Sequence, residues 1–317
     1  MPLRQLARLV ATLDGTRRSP VADAVAARWG YHPGVARHHR SSANHVFALD
    51  GAFLRFTPDG YRRRADLAWV ARVQSGLDAV APPVPSLRGR LVETVDVPGH
   101  GRVHAMLVRA APGEQIDVEE LTPGRARAWG AGLARLHRDG PSGPGRDWFS
   151  ELSGPLAARL GTLPRDASRY GFVHGDYELD NLAWVGDRLA AYDLDEAGRS
   201  WFVADIAAAV RDLGPGPAFD AFLAGYREVR PLPDGDLSLL PVFVAARAAA
   251  WLVRLPAVLD RVESDGPEPD WLVRLRHRLV AHADRQRALV RDSPAEISQV
   301  ADVSPPRIGS TGAATVN

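Results

Sequence analysis

The sequence predicts an α+β chain of two lobes: a small N-terminal lobe with an antiparallel sheet and a helix, then a larger, mainly helical lobe. Three observations carry this. Short apolar runs at strand spacing fill residues 44–109 and flank the turn pairs Asp50-Gly51 and Pro98-Gly99. From residue 124 onward, and above all over 202–291, apolar residues recur at helical spacing, with proline-rich breaks near 214–217, 231–233 and 267–269. Charge divides the same way: residues 1–110 carry 16 arginines against eight acids, and the remainder carries 23 against 30.

In order, residues 3–29 read as one or two helices, interrupted at Asp14-Gly15, with Ser19-Pro20 as an N-cap followed by proline in the first turn. NHVFALDGAFLRFT (44–57) is a hairpin. Residues 61–77 return to helical spacing through Leu67, Val70, Ala71 and Leu77, and the prolines of 82–85 end that helix. Strands at about 90–95 and 102–109 complete the first lobe. Ala111-Pro112-Gly113 marks the boundary, giving lobes of 1–110 and 111–292. Residues 124–138 and 151–163 are helical, and 188–194 is a strand. The segment 293–317, rich in Ser, Pro, Gly, Thr and Ala, is expected to be a disordered tail.

Composition narrows the function. The chain of 317 residues has no cysteine, which excludes disulfides, thiolate metal sites and cysteine nucleophiles. It has no lysine, so arginine must fill every role usually given to lysine. No basic run is interleaved with aromatics, so nucleic acid is not an expected partner. No unbroken apolar run approaches the ~18 residues of a membrane span. No membrane association is therefore expected, and the N-terminal stretch lacks a signal-peptide core, so the expected location is cytoplasmic.

The densest cluster of chemistry is GFVHGDYELDNLAW (171–184). Val173 anchors a short strand and His174-Gly175-Asp176 turns out of it. Asn181 follows Asp176 by five residues, and Asp193 ends an apolar strand twelve residues further on. A carboxylate near a hydroxyl can accept its proton as a general base. A second carboxylate with an amide oxygen can hold Mg²⁺, a hard ion that shares its shell with phosphates. Base, asparagine and metal-binding aspartate are the parts of a phosphoryl-transfer site.

HGDYELDN resembles the H-G-D-x-x-x-x-N loop of the aminoglycoside phosphotransferase and choline kinase-like family, small-molecule kinases with the protein-kinase-like bilobal fold. AAYDLDEAG resembles that family's metal-binding strand. The resemblance covers about 35–290. It implies Asp176 as catalytic base, Asn181 as a Mg²⁺ ligand and Asp193 as the principal Mg²⁺ ligand, with ATP as phosphoryl donor. Asp195 falls where relatives carry a second acid, as either a second metal contact or a structural acid. His174 matches a loop histidine that packs and orients. WFVADIA, with Asp205, resembles the segment whose buried aspartate braces the catalytic loop. Glu178 and Asp180 are read as solvated loop acids.

In the first lobe the resemblance puts Arg55 where protein kinases carry the phosphate-binding lysine, and Asp66 is its expected partner. No G-x-G-x-x-G precedes the hairpin, so Ser41, Ser42 and nearby backbone N–H groups are the expected phosphate contacts. The His38-His39 pair is read as surface. The hinge falls at MLVRAAPGEQ, with the backbone of Val108, Arg109 and Ala110 meeting adenine.

The acceptor is a small hydroxylated molecule. The acidic second lobe favours one bearing an amine, and an antibiotic is the leading class. A metabolic kinase for homoserine, choline or a sugar, or a non-catalytic nucleotide-binding module, are the alternatives. The acidic run 260–270 either attracts such a cation or is a solvated loop, and Trp201, Phe202, Tyr226, Trp251 and Trp271 either stack on substrate or fill the core.

Overall fold

The computed structural model describes residues 1–143, 145–259 and 268–293. Most of the acidic run, 260–267, and the tail from 294 onward lie outside them. The first lobe opens with α1 (Leu3–Val10) and α2 (Pro20–Ala26). Ser19 caps α2, accepting from the backbone N–H groups of Val21 and Ala22. Three strands follow: β1 (Arg37–Ser41), β2 (His45–Leu49) and β3 (Ala52–Pro58), with Gly51 at φ 63° in the expected turn. Then come α3 (Arg64–Ser75), β4 (Pro83–Val84), β5 (Glu93–Val97) and β6 (Gly101–Arg109). The antiparallel sheet runs β1-β2-β3-β6, and both β4 and β5 pair with β6.

Side chains alternate across this sheet. Leu54, Phe56, Ala105 and Leu107 join the apolar cluster of α1 and α2, while Met106 and Val108 join Leu67, Val70 and Ala71 of α3 on the cleft side. That second cluster continues into the second lobe through Leu133, Trp184 and Leu194.

The second lobe contains α4 (Pro123–Asp139), α5 (Gly154–Gly161), β7 (Tyr170–Val173), β8 (Leu182–Val185), β9 (Arg188–Ala191) and β10 (Gly198–Trp201). It continues with α6 (Phe202–Ala209), α7 (Pro217–Val229), α8 (Asp234–Leu237), α9 (Leu240–Val258) and α10 (Asp270–Arg291). β7 pairs with β10 and β8 with β9, both antiparallel. These two short ribbons flank the HGDYELDN and AAYDLDEAG segments.

Helices α4 and α7 meet backbone to backbone. A Cβ on Gly130 would overlap the carbonyl oxygen of Phe222, and one on Gly225 would overlap that of Arg127. Gly130→Ala gains helix propensity of about 1 kcal/mol. It also forces the helices apart, at a cost of about 3 kcal/mol. The expected outcome is a net loss of about 2 kcal/mol in a urea melt.

The segment 234–258 is long and apolar enough to cross a membrane by length and composition, although charged residues interrupt its apolar runs. Here α9 packs against α6 and α10, with Phe243, Ala245, Ala246 and Ala249 buried. The last helix also reaches back: Leu272 of α10 is buried in the first lobe's cluster, with Trp271, Leu275 and Leu279 packed against it.

Candidate active site

The site is built around a buried aspartate. β7 ends at Val173, and the chain turns through Gly175 at φ 82°, where a Cβ would overlap the carbonyl oxygen of Glu196. Asp205, on α6, accepts from the backbone N–H of His174 at 2.7 Å and of Gly175 at 2.9 Å. It also accepts from His137 Nε2 at 3.0 Å, whose Nδ1 accepts in turn from the Tyr226 hydroxyl at 2.8 Å. Burial alone would raise the Asp205 carboxyl; the hydrogen bonds from His137 and from the His174 N–H hold it below the usual carboxylate range. Burial holds His137 below the ordinary imidazole range. Asp205 thus fixes the two peptide units just before Asp176.

His174 ties this loop to the next strand. Its Nε2 donates to the Tyr192 carbonyl at 3.1 Å and its Nδ1 accepts from the Asp176 N–H at 3.3 Å. With both nitrogens committed and the ring fully buried, it positions Asp176 and has no free proton to exchange. Asn181 Nδ2 donates to Asp176 Oδ2 and to the Asp176 carbonyl, both at 2.9 Å. The Tyr192 N–H donates to the Asn181 carbonyl at 3.0 Å, which sets Asp193 beside them. Asp176, Asn181 and Asp193 are therefore brought together, with Asn181 Oδ1 left over.

Asp193 sits in the left-handed region at φ 62°, ψ 61°. Its Oδ1 takes Arg55 at 2.9 Å and its Oδ2 takes Arg40 at 3.1 Å. Burial works to raise this carboxyl, and the guanidinium groups of Arg55 and then Arg40 override it, holding it below the usual range. Asp195 is buried. Its Oδ2 meets Arg55, Arg62 at 3.1 Å and Asn44 Nδ2, which leaves the buried Oδ1 as its only free oxygen. Arg62 also lies 3.6 Å from Glu196. Asn181 Oδ1 and the Asp193 carboxylate are hard oxygen donors of the kind Mg²⁺ takes. Among the described residues no group of three His, Asp or Glu forms a metal cage. That suits an ion whose shell is completed by phosphate oxygens.

Four expectations need correction. Asp66 does not pair with Arg55: it stands on the first turn of α3, 52% exposed, and holds Arg63 at 2.8 Å, while Arg55 is neutralised by Asp193 and Asp195. Ser41 points away from the cleft, its hydroxyl bonded to His38 at 2.7 Å and to His45. The neighbouring Ser42 lies in the β1–β2 turn, its N–H given to the Asn44 carbonyl at 2.9 Å. At the hinge, Val108 lies inside β6, paired on both sides, and the N–H groups of Arg109 and Ala110 already donate to Pro82 and Gly51. The first hinge N–H with no acceptor among the described residues is that of Ala111.

Glu178 is the fourth: it is buried, not solvated. Burial, then the charge of Asp176, pushes its carboxyl up to about 8 against the pull of Arg211 and Arg247. Arg211 lies 2.6 Å from it. Arg247, on α9, donates to the Gly175 carbonyl at 2.6 Å, lies 3.5 Å from Asp176 Oδ1 and 3.7 Å from Glu178, and stacks over Trp148 at 4.5 Å. Asp180 is exposed as expected. Of the five aromatics, Trp201, Phe202 and Tyr226 are core, while Trp251 and Trp271 are half-buried. Arg40, Asn44, Arg62, Arg211 and Arg247 were not singled out from the sequence. Only the alternation around Arg55 could have flagged any of them.

Arg247→Met leaves Asp176 and Glu178 facing each other without their shared cation. The expected loss is about 2 kcal/mol, below the cost for a fully buried pair because Arg247 keeps some solvent contact. In a thermal scan above pH 8, where Glu178 is ionised, adding Glu178→Gln removes one of the two charges, so the double variant should melt above the single one.

The fold and this cleft define a class: a bilobal, protein-kinase-like phosphotransferase. The phosphotransferase enzyme family matches over residues 155–237, the segment from α5 to α8 that holds the 174–181 loop, the strand leading to Asp193, and Asp205. A protein of Deinococcus radiodurans is 31% identical over 246 residues, spanning 64% of this chain and 70% of that one. The amicoumacin kinase of Bacillus subtilis is 24% identical over 268 residues, spanning 70% of this chain and 80% of that kinase. Among solved structures, amicoumacin kinase hAmiN in complex with AMP-PNP, Ca²⁺ and Ami superposes with a TM-score of 0.67 at 21% identity, covering 87% of this chain and 96% of that one. The chain belongs to the phosphotransferase enzyme family.

Proposed function

We propose that this protein transfers the γ-phosphoryl group of ATP, with Mg²⁺, to a hydroxyl of a small amine-bearing molecule, and that the acceptor is an antibiotic. One observation carries the chemistry: Asp176 is hydrogen-bonded to Asn181 through one carboxylate oxygen and braced from below by Asp205. The other oxygen lies 3.5 Å from Arg247, with the Glu178 carboxyl beside the pair. The acceptor oxygen attacks the γ-phosphorus and its proton passes to Asp176. The bond from that phosphorus to the β-phosphate oxygen breaks, and ADP leaves. Asn181 Oδ1 and the Asp193 carboxylate would hold Mg²⁺, which would supply neutralising charge for the phosphates. Arg55 binds phosphate oxygens, with the bidentate geometry arginine allows. The Ala111 N–H serves adenine.

Two facts support the acceptor class. The second lobe is acidic, with 30 acids against 23 arginines beyond residue 110. A relative aligned over 70% of the chain is named for an antibiotic. Such a reaction draws on cytoplasmic ATP, and we place the protein there. The test is an acceptor panel with γ-labelled ATP, comparing kcat/KM for amicoumacin-like and aminoglycoside antibiotics with homoserine, choline and simple sugars. Highest kcat/KM on an antibiotic supports the proposal. Labelling confined to a metabolite would remove the antibiotic and keep the kinase.

A further inference from the structure

Strand β1 contains a bulge that re-aims one arginine. Arg37 pairs with Ala48 and His38 with Phe47, but Arg40 pairs with Val46 and Ser41 with His45, so His39 is an extra residue. With strict alternation Arg40 would share the face of His38, whose ring packs on His45 and Phe47 away from the cleft. The bulge instead places His39 and Arg40 in succession on the cleft face. The His39 ring meets Phe53 at 5.3 Å, Arg40 meets Asp193, and Ser41 returns to the His38 side. Arg40, Val46, Arg55 and Met106 then form one row across β1, β2, β3 and β6. The guanidinium groups of Arg40 and Arg55 take opposite oxygens of the same carboxylate.

We propose that Arg40 is a phosphate-binding residue delivered by this bulge to the transferring γ-phosphoryl group, an arginine finger supplied by the chain itself. The inference rests on the phosphotransferase reading and names a residue that reading does not require. The catalytic loop offers no cation of its own: Tyr177, Glu178, Leu179 and Asp180 separate Asp176 from Asn181. Arg247 and Arg211 are engaged by Glu178, and Arg247 also by the Gly175 carbonyl. Arg55 is buried and shared between Asp193 and Asp195. Arg40 is 44% exposed, and among the described residues only Asp193 holds it. A nucleotide whose metal engages Asp193 takes away Arg40's counter-ion. The anion left within reach is the phosphoryl group in transit, whose negative charge such a group stabilises.

The experiment titrates ADP and AMP-PNP, each with Mg²⁺, into wild type, Arg40→Gln and Arg40→Lys, and follows turnover on the best acceptor. In Arg40→Gln, AMP-PNP should weaken about tenfold while ADP stays within about twofold, the loss expected for one charge-assisted contact to the γ-phosphate. Turnover should fall at least about 10²-fold, somewhat less than the loss when an arginine finger is absent altogether. Arg40→Lys should recover part of both. Equal losses for the two nucleotides, or none, would overturn the assignment. Wild type that binds both nucleotides but phosphorylates nothing would sink the transfer reading, while the AMP-PNP to ADP ratio still decides Arg40. Wild type that binds neither sinks both. Deletion of His39 is the second variant: it removes the extra residue and leaves Arg40 opposite Val46 on the cleft face, so the ratio should stay near wild type, and a drop as large as that of Arg40→Gln would overturn the placement given to Arg40.

Discussion

Asp176→Asn lowers phosphoryl transfer by about 10³- to 10⁴-fold, the upper range for removing a positioned general base. Nucleotide affinity stays within about twofold, because the contacts expected of ATP fall elsewhere. Among the described residues the Asp176 carboxylate meets Asn181, Arg247 and Glu178, and neither Arg55 nor the hinge. The substituted amide keeps an oxygen to accept from Asn181 Nδ2, so the loop should keep its shape. The parent side chain is 37% exposed and carries no buried apolar contact, so stability should change by less than about 0.5 kcal/mol. Steady-state kinetics, nucleotide titration and a thermal melt together separate these effects. A lost kcat with unchanged nucleotide affinity marks a proton acceptor. Parallel losses in both would mean that the loop had collapsed.

Asp205→Ala should be the most destabilising single change in the protein. It strips the acceptor from the His174 N–H, the Gly175 N–H and His137 Nε2, all buried, at about 3–5 kcal/mol. Against a typical domain stability of about 5–15 kcal/mol, that brings the fold near its threshold. The same cluster sets an acid limb. Asp205 is held below its ordinary value, so its contribution is present above the unfolded-state pKa and is lost as pH falls through the lower folded value. His137 is also held low, so the unfolded chain takes up its proton first, and stability falls as pH drops below the ordinary histidine range. Both push the same way. Urea midpoints measured from neutral pH down to about pH 4 should fall in wild type, and less steeply in His137→Gln. Equal slopes in the two proteins would remove His137 from this account.

The contiguous parts of the site were legible because their geometry is local. Asp176 and Asn181 are five residues apart in one turn, and the strand ending at Asp193 is an apolar run with an acid at its tip. The Asp50-Gly51 hairpin and the Ser19 cap were legible for the same reason. What failed was long-range. Asp66 looked like the partner of Arg55 because it is the only acid in the helical stretch 61–77, yet the real partners lie 138 and 140 residues away. Glu178 looked solvated because nothing nearby foretold that α9 would bring Arg247 over it. β1, RHHRS, is polar and bulged, so it lacks the period-2 pattern that marks a strand. The hinge amides were not legible because their acceptors lie on other segments: Arg109 donates to the Pro82 carbonyl and Ala110 to that of Gly51. The last helix reads as part of the second lobe, and only its packing shows Leu272 in the core of the first.

The central claim is direct transfer from nucleotide to a hydroxyl at Asp176, and ³¹P NMR of the protein with ATP, Mg²⁺ and the acceptor panel tests it most directly. The account predicts that the γ-phosphate signal of ATP is replaced, one for one with ADP, by a new phosphomonoester signal, and that this signal is absent with Asp176→Asn. ATP converted only to ADP and inorganic phosphate with every acceptor, or a phosphomonoester formed equally well by Asp176→Asn, would contradict it.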